Sequence, residues 1–226
     1  SCLFISLWGG SIRFNTPMLF SLSFLPMFGL GGLTGLPLGL PLSDIHLHDT
    51  YYVISHFHYV VAPGTIFAIF AGIYYWFPKI TGKKLNEVLG KIHFLFSFIF
   101  MNGIFFPMLI QGLAGVSRRL SDGGESYAHA QSVIHYNEFM SMSAWLLGLA
   151  QLPFILNIIL TLIKKKDKVA NPNPWNATTM EWACPSPPIA HGNFKTDPVA
   201  YRGPYEYSVP DHKTDFSPQF EKLGDK

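Results

Sequence analysis

Four long apolar runs divide the chain, at about 14–38, 51–78, 92–113 and 133–163. Each reaches or exceeds the roughly 20 residues that a helix needs to cross about 30 Å of hydrocarbon, so each predicts a membrane span. The opening SCLFISL is equally apolar but too short, and reads as the end of a fifth helix. It has no Met, charged leader or small-residue cleavage site, so Ser1 is read as an artificial, processed or split start. WGGS at 8–11 ends one helix, Asn15-Thr16-Pro17 can open the next, and ITGKKLNE is a turn between spans. Pro26 and Pro107 fall inside spans and predict kinks. After Lys168 the composition turns to Pro, Asn, Tyr and charged residues, so 169–226 predicts a water-exposed tail with little regular structure, ordered by wrapping a partner. The expected architecture is an all-α integral membrane bundle over 1–168, four full spans plus the end of a fifth, followed by that irregular tail.

Composition agrees: 49% of residues are hydrophobic, 15% aromatic and only 13% charged, well to the membrane side of a soluble domain. The net charge of +2 matters less than its placement. Lys79, Lys83, Lys84 and Lys91 lie between the second and third runs, Lys164, Lys165, Lys166 and Lys168 follow the last, and Arg13 precedes the first. The positive-inside rule puts these places on the cytoplasmic or matrix side. The segments 39–50 and 114–132 then face the other side, where Arg118 and Arg119 break the charge pattern. The basic residues flank spans without clustered stacking aromatics, which argues against nucleic-acid binding. Cys2 and Cys184, far apart, indicate neither a disulfide framework nor a CxxC site.

Candidate chemistry concentrates in HDTYYVISHFHYV, His48 to Val60. On a helix, His56 and His58 are about 200° apart and leave opposite faces, so they cannot share one metal ion. An imidazole inside a membrane is costly unless hydrogen-bonded or metal-bound. Two core histidines donating to neighbouring helices is one reading. Two haems flanking the helix, each taking one axial imidazole, is the other, since haem iron needs a single such ligand from a helix. His48 and Asp49, at the water boundary, can cap the helix or contribute to a Mg²⁺ site that keeps several waters. In GVSRRLSDGG, Arg118 and Arg119 can bind carboxylates bidentately, such as haem propionates, or pair at the surface with Asp122 or Glu125.

HDTYYVISHFHYV, with WGGSIRF before it, GGLTG in the first span and SRRLSD after the third, closely resembles the catalytic subunit I of haem–copper cytochrome c oxidases. The likeness covers almost the whole chain and implies the last four of that subunit's twelve transmembrane helices plus its tail. Carried over by position, it implies that His56 is the axial ligand of the high-spin haem facing copper and His58 an axial ligand of the low-spin haem. It further implies that His48 and Asp49 belong to a Mg²⁺ site shared with subunit II, that Arg118 and Arg119 bind haem propionates, and that Asp44 lies above the haems in the proton-exit region. The implied cofactors are two haems, a-type, and Mg²⁺. Copper B belongs to the complex, with its ligands outside this chain.

The resemblance also sets partners and alternatives. It implies an N-terminal part of subunit I, on the same or a separate chain, subunits II and III, cytochrome c and the lipid bilayer. The implied activity is electron transfer from cytochrome c to O₂, giving water, coupled to proton pumping. HDTYY favours this over related quinol oxidases, which tend to read HNSLF, and over nitric oxide reductases. A non-catalytic membrane scaffold with merely hydrogen-bonded histidines is the alternative of another class. Departures exist: the remaining haem and copper ligands, the cross-linked tyrosine and a proton-uptake lysine of the family have no counterpart here. Ala62-Pro63 replaces Ser-Met of animal mitochondrial proteins, Pro26 is unusual, and His46 is an additional histidine read as a surface imidazole. NPWNATTMEW, PSPPIAHGNF and APGTIF resemble bacterial subunits, which favours a bacterial plasma membrane, with the mitochondrial inner membrane as the other possibility.

Overall fold

The computed structural model describes residues 2–163, 172–194, 196–203, 206 and 217–222. Lys164, Lys165, Lys166, Lys168 and the expected 168/169 boundary lie outside them. The described chain is helical: α1 (Cys2–Leu7), α2 (Thr16–Leu38), α3 (Pro41–Leu47), α4 (Tyr51–Val61), a π-helical turn (Ala62–Phe67), α5 (Ala68–Thr81), α6 (Glu87–Leu113), α7 (Tyr136–Leu149) and α8 (Leu152–Ile163). Four helical stretches, Thr16–Leu38, Tyr51–Thr81, Glu87–Leu113 and Tyr136–Ile163, are long and apolar enough to cross a membrane, matching the four expected runs. Many apolar side chains on them, among them Leu33, Phe106 and Trp145, remain uncovered by this chain.

Two local departures from regular helix trace to proline. Pro63 lacks an N–H to donate, and the helix around it widens to a π-helical turn. Pro153 likewise removes a donor at the start of α8, so the last run is two helices rather than one. The break leaves carbonyls to satisfy: Gln151 N–H turns back to the Gly148 carbonyl at 3.2 Å, and the Gln151 side-chain amide donates to Leu147 at 3.0 Å.

The chain falls into two compact units. The larger, Phe14–Ile73 and Asn86–Ile158, is built on close helix approaches at small residues. Gly31 and Gly35, one turn apart on α2, face α4: a Cβ on Gly31 would lie 2.9 Å from the Val60 backbone nitrogen. Gly112 of α6 lies directly against the Tyr52 backbone. Ser55 donates to the Phe105 carbonyl at 2.6 Å. Helix α4 is therefore held against α2 on one side and α6 on the other.

The smaller unit, Ser1–Arg13, Tyr74–Leu85 and Ile159–Lys226, gathers tail residues around the end of α5. Trp175 donates to the Tyr75 carbonyl at 3.0 Å, and the buried Trp182 stacks on Trp76 with centroids 5.6 Å apart. Lys79 is buried, donating to the Cys184 carbonyl at 2.8 Å beneath the Trp182 ring. Lys83 donates to the Thr161 and Leu162 carbonyls at 3.1 and 2.9 Å, satisfying acceptors that the end of α8 leaves open. Cys184 is a buried free thiol.

Candidate functional site

The two histidines leave α4 on opposite sides, as a rotation of two residues requires. His56 reaches α2: its Nδ1 lies 2.7 Å from the Gly31 carbonyl and 3.1 Å from Thr34 Oγ1. The Thr34 hydroxyl itself donates to the Leu30 and Gly31 carbonyls, so it can only accept from the ring. Gly35 makes room, since a Cβ there would sit 2.8 Å from His56 Cε1. His58 turns toward α6, with Nδ1 2.7 Å from the Ile54 carbonyl and its ring stacked on Phe105 at 4.6 Å. Phe57 is exposed between them.

These contacts fix the chemistry of both rings. A carbonyl only accepts, so Nδ1 of each histidine carries the proton, and the neutral ring presents its lone pair at Nε2. Neither Nε2 has a hydrogen-bond partner among the described residues. A ring oriented through Nδ1–H to a carbonyl, with Nε2 left over, is the arrangement metal-ligating histidines use. Thr34, the Gly31 carbonyl and Phe105 orient the rings, and periodicity alone did not single them out; the GGLTG glycines were the visible signal.

At the head of α4 the expected Mg²⁺ pair and the expected arginine pair meet. Asp49, with φ of +56°, forms an ion pair with Arg118 through Oδ1 and Nη2. The backbones are tied as well: Arg118 N–H donates to Asp49 O at 2.8 Å and Tyr51 N–H to Val116 O at 2.9 Å. The capping reading of Asp49 is corrected here. Thr50 is the cap, its Oγ1 accepting from Tyr52 N–H at 3.2 Å. The surface pairing with Asp122 or Glu125 is corrected for Arg118, which pairs with Asp49 instead. Asp122 instead accepts from the Gly124 and Ser126 backbones at 3.0 and 2.9 Å.

The Arg118 hydrogen bond holds the Asp49 carboxyl below its ordinary range. Its other oxygen, Oδ2, lies 3.5 Å from His48 Nε2, close to the separation of about 3 Å between neighbouring ligands of an octahedral Mg²⁺. His48 and Asp49 side chains are 68% and 51% exposed, leaving room for the waters such an ion keeps. Asp44 lies one turn before His48, at 3.9 Å. Arg118 Nε is buried with no partner, although a guanidinium N–H in that position calls for an acceptor. Arg119, at φ +66°, is exposed, as is His46. Among the described residues no three His, Cys, Asp or Glu side chains form a metal cluster.

Residues 2–149 match the family model described as cytochrome c and quinol oxidase polypeptide I. The chain belongs to that family. It is 43% identical to cytochrome c oxidase subunit 1 of Synechocystis over 90% of this chain and 35% of the relative. Identity is also 43% to the alternative cytochrome c oxidase subunit 1 of Bradyrhizobium diazoefficiens, over 95% of this chain and 36% of the relative. The chain thus spans about a third of the length of these curated relatives. In fold it is similar to a heme-copper terminal oxidase solved as a dimer by cryo-EM, with a TM-score of 0.56 at 22% identity, over 66% of this chain and 27% of that one.

Proposed function

We propose that the chain is the C-terminal portion of the catalytic subunit of a cytochrome c oxidase, residues 1–168 in the membrane and 169–226 as the tail. One observation carries this reading: two histidines on one helix face opposite ways, each with Nδ1 given to a carbonyl and Nε2 left for a ligand. Haem bound at each Nε2 supplies iron for oxygen binding and one-electron transfer. His56 holds the high-spin haem on the α2 side, its ring fixed by Gly31 and Thr34. His58 holds the low-spin haem on the α6 side, its ring supported by Phe105. The unpartnered Arg118 Nε, with Arg119, supports propionate binding, and Asp44 stands on the same boundary near the proton exit. His48 and Asp49 hold Mg²⁺. The fit favours haem over two structural histidines, whose Nε2 atoms would need partners of their own.

The remaining parts of the reaction, copper B and its ligands, belong to the N-terminal part of subunit I, and subunits II and III, cytochrome c and lipid complete the assembly. The a-type haems are part of the same proposal. The relatives are cytochrome c oxidase subunits, which supports a cytochrome c rather than a quinol donor. Their bacterial sources support a bacterial plasma membrane. The test is a reduced-minus-oxidised optical spectrum, with and without carbon monoxide, of membranes carrying the chain and its natural partners. His56→Ala is expected to remove the carbon-monoxide-reactive signal and His58→Ala to perturb the low-spin band. Unchanged spectra in both variants would leave the histidines as structural groups and overturn the proposal.

A further inference from the structure

Gln111 is an interior amide near the end of an apolar span, 0% exposed, and no role assigned above uses it. Its amide nitrogen donates to the Val133 carbonyl at 3.1 Å and to Asn137 Oδ1 at 2.8 Å. Asn137 Nδ2 in turn donates to the Gly123 carbonyl at 3.1 Å. Because the Val133 and Gly123 carbonyls only accept, both amide orientations are determined. The Gln111 backbone carbonyl accepts from Val116 N–H at 3.0 Å. One residue of α6 thus grips the 114–135 connection at its start, at its turn through Asn137, and at its end. Gly123, at φ +64°, permits the approach: a Cβ there would lie 3.0 Å from Asn137 Nδ2.

Both donors are spent on this connection while Gln111 Oε1 stays buried without a partner. Leaving a buried acceptor unsatisfied is costly, and a Leu would pack the span without that cost. What the amide secures is the placement of a loop whose next residues are Ser117 and Arg118, held from the other side by the Asp49 carbonyl. We infer that Gln111, acting through Asn137 and Val133, is a positioning residue that sets where Arg118 meets the haem propionate; this rests on the propionate reading above.

The test is a redox titration of both haems in the assembled enzyme, comparing wild type, Gln111→Leu, Arg118→Gln and the double variant. A cation beside a propionate favours the reduced haem, so Arg118→Gln lowers a haem midpoint. Gln111→Leu is expected to lower the same midpoint by a smaller shift, and to add nothing in the Arg118→Gln background. Asn137→Ala, at a half-buried position, must reproduce the Gln111→Leu shift and serves if that variant does not assemble. A shift that persists in full without Arg118 overturns the inference. So does an unmoved midpoint in Gln111→Leu or Asn137→Ala when Arg118→Gln moves it. If Arg118→Gln itself moves neither midpoint, the propionate reading has failed, and the inference falls with it by a different pattern.

Discussion

The two ends of α6 handle polar groups in opposite ways. At the Lys91 end, Glu87 accepts from both the Thr16 N–H at 3.0 Å and the Thr16 hydroxyl at 2.8 Å. Beside it Asn86 and Asn157 exchange hydrogen bonds, Asn86 N–H to Oδ1 and Nδ2 to Asn86 O, each 2.8 Å. None of the buried side-chain polar atoms in this set is left without a partner. At the Arg118 end, Gln111 Oε1 and Arg118 Nε are buried and unpartnered. Buried polar groups are ordinarily satisfied, so the closed network reads as a joint, whereas at the other end the Gln111 amide leaves one acceptor open to hold the loop and Arg118 Nε is left for an acceptor. The first end fastens helices together; the second carries the arginine proposed to meet a haem propionate.

That contrast can be broken by substitution. Asn157→Leu removes both bonds of the reciprocal pair and leaves the Asn86 N–H without its partner, and is expected to cost about 3 kcal/mol, read as a lowered thermal unfolding midpoint in detergent with unchanged haem potentials. Thr16→Val keeps the backbone bond to Glu87 but loses the hydroxyl, with an expected cost of about 2 kcal/mol for one charge-assisted hydrogen bond in the same assay. If either variant moves a haem midpoint without moving stability, the lysine end is more than a joint. Arg118→Gln is expected to do the reverse, lowering a haem midpoint in a redox titration with little change in thermal unfolding.

The smallest expected effect sharpens the arginine end. The Ser126 side chain, with the Gly124 and Ser126 backbone N–H groups, holds the Asp122 carboxyl down to about 2. A depressed carboxyl stabilises the fold above its unfolded value, near 3.9, and loses that contribution as pH falls through its folded value. Protection of the Gly124 and Ser126 amides, measured against their intrinsic exchange rate at each pH, is therefore expected to hold down to about pH 4 and to fall toward about pH 2. In Asp122→Asn exchange should be faster at neutral pH, and the two proteins should converge toward about pH 2. Identical exchange in both proteins at neutral pH would show that this turn does not hold the loop.

Much of this was legible because one physical demand dominates: a span must be about 20 residues long and apolar. That demand made four helices and the opposed faces of His56 and His58 visible from spacing alone. What was not legible depends on contacts distant in sequence. Asp49 looked like a helix cap because Asp often is one, but Thr50 takes that role and Asp49 finds Arg118 across the 114–132 connection. The prolines that predict kinks are Pro26 and Pro107, but the π-helical turn and the helix break fall at Pro63 and Pro153, because which proline disturbs its helix depends on how the freed carbonyls are satisfied. Gln111 shares its span with one other amide, Asn102, and nothing in the spacing separates the two; its direction is set by Val133 and Asn137.

The most direct test of the account is ligand replacement at the histidines. His56→Gly and His58→Gly are to be prepared in the assembled enzyme and their optical spectra recorded with and without added imidazole. The account predicts that each variant loses its own haem band, the carbon-monoxide-reactive one for His56 and the low-spin one for His58, and that imidazole restores it. Loss of both bands together in either variant, with no recovery on adding imidazole, would mean that the rings brace the helices rather than bind iron, and would contradict the central claim.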